Sequence, residues 1–257
     1  MDPSPNKIQK QQDLERAIES LPEPLRQLCL SGQSVQNLAH LVKNILQMTS
    51  GSVEIIELGV QRKQFDRVER SWDIFELNFV RMKKFILDLI KYTKHYPINK
   101  TVCNLNQCAD DAIRSCEYAL KNDAVTVQFQ KDKTIPSTSL DADRVEEMVA
   151  NLITHALDNL PEHGGTISIT TKYLEDHRQI QLSVCDDGEP LTNKTIQSLS
   201  EPLERTRSML GTGFDIPLAK LCIEQHEGYM EFESSKPKGN RVHAYLPHNS
   251  GAAQAAR

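Results

Sequence analysis

Four short stretches of this 257-residue chain carry side chains with chemistry to offer. Residues 38–47 read LAHLVKNILQ and put an imidazole, an ammonium and an amide together at His40, Lys43 and Asn44. An imidazole is mostly neutral at pH 7 and can act as a nucleophile. Further on, DADRVEEMVANLITHALD (141–158) carries Asn151 and His155, four residues apart and so one above the other on a helix. VCDDGEPL (184–191) contains Asp186 and Gly188, and GTGFDIPLAK (211–220) opens with Gly211, Thr212 and Gly213. Each stretch also has a plain structural reading. D-x-G after a strand is commonly a turn, GTG ahead of a helix supplies loop freedom with Asp215 as an N-cap, and Asn151 or His40 can simply face solvent.

The elements that must position these groups are legible from periodicity. Residues 31–94 hold two long helical patterns. In the first, Val35, Leu38, Leu41, Val42, Ile45, Leu46 and Met48 recur at three- and four-residue steps as a wide apolar stripe. Gln33, Gln36, His40, Lys43, Asn44 and Gln47 share the opposite, polar face. The second pattern runs from about Arg70 to Lys94, with Phe75, Phe79, Met82, Phe85, Ile86 and Leu89 on one side, and Tyr96-Pro97 ends it. Two such helices cannot bury their stripes on each other alone, so a homodimer forming a four-helix bundle is expected.

After Pro97 the texture changes. A helix from about Asn104 to Leu120 precedes VTVQFQ, whose alternation marks a strand. A helix over about 141–160 follows, then strands at 166–174 and 178–186, a loose stretch over 188–213, a helix IPLAKLCIEQH and two closing strands, GYMEFES and NRVHAYLP. The expected fold class is α+β: an N-terminal helical hairpin followed by an α/β sandwich, one sheet covered by helices on one face. The expected division is 1–30 as a polar, partly helical segment with a helix over 7–20 stopped by Pro22 and Pro24, then 31–97, 98–248, and a disordered tail at 249–257.

Composition narrows the function. The chain is 39% hydrophobic and 25% charged, enough for a real core. A net charge of −5 gives no basic footprint, which argues against nucleic acid as partner. Six cysteines without a C-x-x-C pair or zinc spacing read as reduced thiols. No apolar run approaches a membrane span and the polar start is not a signal peptide, so a soluble, cytoplasmic protein without membrane contact is expected.

Order and spacing tie the stretches together. An Asn-bearing helix, a strand ending in D-x-G, a loop of about twenty residues and GTG opening a helix resemble the nucleotide-binding domain of histidine kinases, a fold shared with the Hsp90, gyrase and MutL ATPases. LAHLVKNILQ resembles the H-x-(V/I)-K-N-x-L-Q phosphoacceptor helix of those kinases, and WDIFELNFVRMKKFILDLIKYTKHYP resembles their second bundle helix. The likeness spans about 31–247. It implies ATP and Mg2+ as cofactors. Asp186 would accept a hydrogen bond from the adenine amino group, Gly188, Gly211 and Gly213 would let the backbone approach the ligand, and the N–H groups of Gly211, Thr212 and Gly213 would receive phosphate. Asn151, with His155, would stand at the magnesium position, and 189–210 would form a mobile lid. It further implies autophosphorylation of His40, assisted by Lys43 and Asn44, and transfer to an aspartate on a response-regulator receiver domain.

The sequence departs from the family pattern at four places. Leu41 follows the histidine where an acid is usual, His155 replaces the second asparagine of N-x-x-x-N, Pro190 replaces the second glycine of D-x-G-x-G, and Asp215 stands where GTGLGL has glycine. Imidazole suits magnesium poorly, and a carboxylate about 5 Å from a phosphate repels it by roughly 3 kcal/mol at an effective dielectric near 20. The alternative is therefore a degenerate relative acting as a phosphotransfer relay or scaffold without ATP turnover.

Overall fold

The computed structural model describes residues 23–94, 97–117, 120, 124–200, 212–236 and 238–248; in the first helix, side chains are described at 36 and from 38 onward. The expected helix at 7–20, the tail at 249–257, most of the second half of the lid, and Gly211 lie outside the described residues. The chain divides into two units, Met1–Phe79 and Val80–Arg257.

The first unit is a helical hairpin. Helix α1 runs Glu23–Gln61 and helix α2 runs Phe65–Thr93, its first turns belonging to this unit. Pro24 sits in the opening turn of α1, where the N–H it lacks would have no intrahelical partner. The polar segment after Met48 continues the same helix. The turn closes through Gln64 N–H donating to the Gly59 carbonyl at 2.8 Å, with Lys63 left-handed at φ 56°. Gly59 is required by close approach, since a Cβ there would lie 2.7 Å from Val68 Cγ2. Ile45 is fully buried, yet Leu46, Met48, Trp72 and Phe79 of the same unit are each more than half exposed.

The second unit begins with the last turns of α2 and continues as a two-layer α/β sandwich. Strand β1 (Thr101–Cys103) leads to α3 (Leu105–Ser115), capped by the Asn104 side chain accepting from Asn106 N–H. Then come β2 (Val125–Gln130), β3 (Thr138–Leu140), α4 (Ala142–Asn159), β4 (Gly165–Leu174) and β5 (Gln179–Asp186). A short helix α5 (Asn193–Ser198) precedes α6 (Asp215–Gln225), β6 (Tyr229–Ser235) and β7 (Gly239–Pro247). The main sheet has the order β2-β4-β5-β7-β6, all neighbours antiparallel except the parallel pair β2–β4; β1 and β3 form a separate antiparallel pair. The period-2 pattern of the strands explains which face the helices cover. Ile180, Leu182 and Val184 of β5 and Val242, Ala244 and Leu246 of β7 point into the core, where α3, α4 and α6 pack. His226, just past α6, is a core histidine: its ring accepts from Asp141 N–H, the cap of α4, at 3.0 Å. Among the described residues no helix is long and apolar enough to cross a membrane.

Candidate functional site

A cavity of about 350 Å3 opens in the second unit where three elements end together. Its walls are the last turns of α4 (His155, Asp158, Asn159), the segment after β5 with α5 (Glu189, Pro190, Leu191, Thr192, Thr195, Leu199) and the start of α6 (Gly213, Asp215, Ile216, Pro217). The start of α6 after a glycine loop forms one wall, and the segment that follows the end of a central strand brings Glu189 to another.

Asp186, the last residue of β5, is 3% exposed and sits behind the cavity wall rather than on it. Its Oδ1 accepts from Gly188 N–H at 3.0 Å and from Asn240 Nδ2 at 2.8 Å, and the Asn159 amide donates to the same carboxylate. Burial pushes its carboxyl above the usual range, against those three donors. Gly188 must be glycine because a Cβ would meet the Asn159 carbonyl oxygen at 2.3 Å. Asn240 is the residue that sequence reasoning missed here. Its Nδ2 also donates to the Glu189 carbonyl at 3.1 Å, and its Oδ1 accepts from Leu191 N–H at 3.0 Å and Ser234 Oγ at 2.7 Å. One buried amide thus fixes both the aspartate and the loop on either side of Pro190. NRVHAYLP carries no local signal of this role, because Asn240 meets its partners through register with Asp186 across β5 and β7.

Asn151 and His155 share a helix face in sequence but part company in the fold. Asn151 is buried against α6 in a cleft of about 20 Å3, and its Nδ2 has no hydrogen-bond partner among the described residues. His155 lines the main cavity; its Nε2 accepts from Asn159 Nδ2 at 3.2 Å, and the surrounding protein pushes its imidazole down to about 4. It is a neutral ring in this site. Asn159, four residues on, is a further cavity residue absent from the expected set.

At the other end Thr212 and Gly213 are buried, Gly213 left-handed at φ 76°. Asp215 does not cap α6. The N-cap is Phe214, without a side-chain cap bond, and Asp215 is the first helical residue, its carboxylate receiving Lys84 Nζ at 2.9 Å. Capping was the plain structural reading of Asp215; a lysine 131 residues earlier takes the carboxylate. Lys84 also bonds Asp88 at 2.9 Å, and Thr212 Oγ1 donates to Asp88 at 2.7 Å. Burial raises the Asp215 carboxyl, with Lys84 pulling the other way. In the first unit, His40, Lys43 and Asn44 are all exposed on α1.

For magnesium the available donors are oxygens of Asp158, Asn159, Glu189 and Asp215, the chemistry a hard cation prefers. Among the described residues no three His, Cys, Asp or Glu converge on a metal position, so the ion would be held jointly with phosphates rather than in a cage of protein ligands.

Residues 140–250, which supply every wall of this cavity, match the family of histidine kinase-, DNA gyrase B- and HSP90-like ATPases, and this segment is a domain of that family. The relatives it resembles along most of its length are histidine kinases. Sporulation kinase A of Bacillus subtilis (strain 168) is 23% identical over 221 residues, 86% of this chain and 35% of the relative. Adaptive-response sensory kinase SasA of Synechocystis sp. (strain ATCC 27184 / PCC 6803 / Kazusa) is 24% identical over 238 residues, 88% of this chain and 61% of the relative. The chain thus spans about a third to three fifths of these relatives' length. In fold it is similar to histidine kinase ThkA, solved in complex with response regulator protein TrrA, with a TM-score of 0.65 at 17% identity over 88% of this chain and 64% of that one.

Proposed function

We propose that this chain is an ATP-dependent protein histidine kinase that phosphorylates itself on His40 and passes the group to a response-regulator aspartate. The observation that carries the reading is a cavity walled by the Asn-bearing helix, the strand-end Asp186 segment and the GTG helix start, in a chain whose α1 exposes the H-x-V-K-N group. One ring nitrogen of His40 attacks the γ-phosphorus in line. The N–P bond forms, the bond to the β,γ-bridging oxygen breaks, and ADP leaves with that electron pair. Lys43 offsets charge on the transferred group and Asn44 orients it. Asp158 and the Asn159 amide are the groups that would hold magnesium, which supplies charge neutralisation between the phosphates. The partner is a receiver domain, the kind of protein with which ThkA was solved. Exposed Leu46, Met48, Trp72 and Phe79 on the hairpin support a homodimer, since large apolar groups at that density mark an interface.

A second reading is favoured by the three carboxylates, Asp158, Glu189 and Asp215, on a wall that among the described residues has no lysine or arginine. In that reading the chain relays phosphate or scaffolds a partner without turning over ATP. Incubation with γ-labelled ATP and magnesium divides the two. Acid-labile label on the protein, absent from His40→Ala, supports the kinase. No label together with no ATP binding by calorimetry leaves the relay or scaffold.

A further inference from the structure

We propose that Lys84 determines how many phosphates the cavity tolerates, acting from the last turns of α2 as the counter-charge of Asp215. The inference deepens the nucleotide reading above and rests on it. Its geometry lies wholly within the second unit. Lys84 Nζ is 2.9 Å from Asp215 Oδ1, 2.9 Å from Asp88 Oδ2 and 3.4 Å from Thr212 Oγ1, so one ammonium joins α2 to both the glycine loop and the first turn of α6. Arg81, three residues earlier on the same helix face, lies within electrostatic reach of Asp158, the neighbouring cavity carboxylate. Cations therefore stand behind two of the three lining carboxylates, while among the described residues the lining itself has none.

The pair is not what fastens the helix. Phe214 already packs against Phe85 and Tyr92, with ring centroids 6.1 and 5.5 Å away, and Lys91 pairs with Glu147 on α4. A buried ion pair contributes little net stability over an apolar pair of the same shape, so docking alone gives no reason for this one. Its consequence is electrostatic. Lys84 shares its positive charge between Asp88 and Asp215 and so offsets part of the negative charge at the phosphate end; without it Asp215 faces every phosphate that enters as a bare carboxylate. The effect must scale with phosphate number and leave a nucleoside untouched.

Calorimetric titration of the whole chain with adenosine, ADP and ATP, each with magnesium, tests this in wild type, Lys84→Met, Asp215→Asn and the double variant. With a carboxylate about 5 Å from a phosphate, Lys84→Met is expected to weaken ATP by about a hundredfold, ADP by less and adenosine by under about twofold. Asp215→Asn is expected to tighten ATP most, and the double variant, in which Asp88 loses the ammonium, to fall between the two single variants. Equal changes for the three ligands, or a double variant as weak as Lys84→Met, overturn the proposal. Should Lys84→Met not fold, the Asp215→Asn series decides alone, since ungraded tightening or none is equally fatal. Adenosine binding without the phosphate gradient sinks the role of Lys84 and spares the nucleotide site; no binding of any ligand to any variant sinks both.

Discussion

Replacing His155 by asparagine restores the N-x-x-x-N pattern and makes a sharp prediction about pH. The imidazole is depressed to about 4 by its surroundings, against an ordinary value near 6.5. The folded state therefore binds the proton less tightly than the unfolded chain. For such a group the stability is fully present above about pH 6.5 and is lost as the pH falls toward about 4, because the unfolded state takes up protons first. A difference of about 2.5 units corresponds to about 3 kcal/mol at most, and about 2 kcal/mol is the better figure because the ring keeps a side open to the cavity. Asparagine does not titrate, so His155→Asn should lack this share of acid sensitivity.

Urea unfolding of wild type and His155→Asn at about pH 7.5, 6 and 4.5 measures it. Other buried histidines, His226 and His243, are also depressed by burial, but they are common to both proteins and cancel in the difference. The expected result is a wild-type-minus-variant stability that falls by about 2 kcal/mol between the first and last pH. Parallel pH curves would refute the claim that the ring is held neutral, and with it the argument that His155 offers no positive charge to a phosphate.

Two more outcomes follow from the Asp186 network. Asn240→Ala removes a donor from a buried carboxylate and unpins the Glu189–Leu191 backbone, so it should destabilise by about 2–3 kcal/mol near neutral pH. That deficit should shrink in acid, where a protonated Asp186 no longer needs the donor; urea unfolding at two pH values checks it. Gly188→Ala places a Cβ 2.3 Å from the Asn159 carbonyl, and the end of α4 must shift to admit it. A loss of about 2–4 kcal/mol in thermal unfolding and loss of nucleotide binding are expected, whereas an unchanged melting temperature would contradict the close approach.

What the sequence made legible was local. Alternation in VTVQFQ, TISITTKYL and RQIQLSVCD located β2, β4 and β5 within a residue or so, because period-2 burial is written into neighbouring positions. Of the D-x-G and GTG stretches, Glu189, Pro190, Leu191, Gly213 and Asp215 line the cavity, whereas Asp186, Gly188 and Thr212 do not. Relations across the chain were not legible. The parallel pairing of β2 with β4, the three-residue strands β1 and β3, and the bonds of Asn240 to Asp186, Glu189 and Leu191 depend on partners dozens of residues away. Asn151 misled because helical spacing places it one turn from His155, yet the packing of α6 on α4 closes over it. Lys84 gave no signal at all, being one lysine among basic neighbours on an amphipathic helix.

The departures from the family pattern are physically coordinated. His155, Pro190 and Asp215 all line one cavity, and each is met by a group that answers the difficulty it creates. The neutral ring of His155 accepts from Asn159. Pro190 removes an N–H and the freedom of a second glycine, and Asn240 holds the carbonyl before it and the N–H after it. Asp215 puts a charge in a buried position, and Lys84 neutralises it. Random erosion of a disused site would strand such groups, at several kcal/mol for an unpaired buried charge and 1–3 kcal/mol, roughly, for an orphaned N–H. Asn151 is the exception among the motif residues, its buried Nδ2 having no hydrogen-bond partner among the described residues. Reverting one residue alone, as in Asp215→Gly, takes the Lys84, Asp88 and Asp215 cluster from one net negative charge to none, and nucleotide affinity should rise rather than fall.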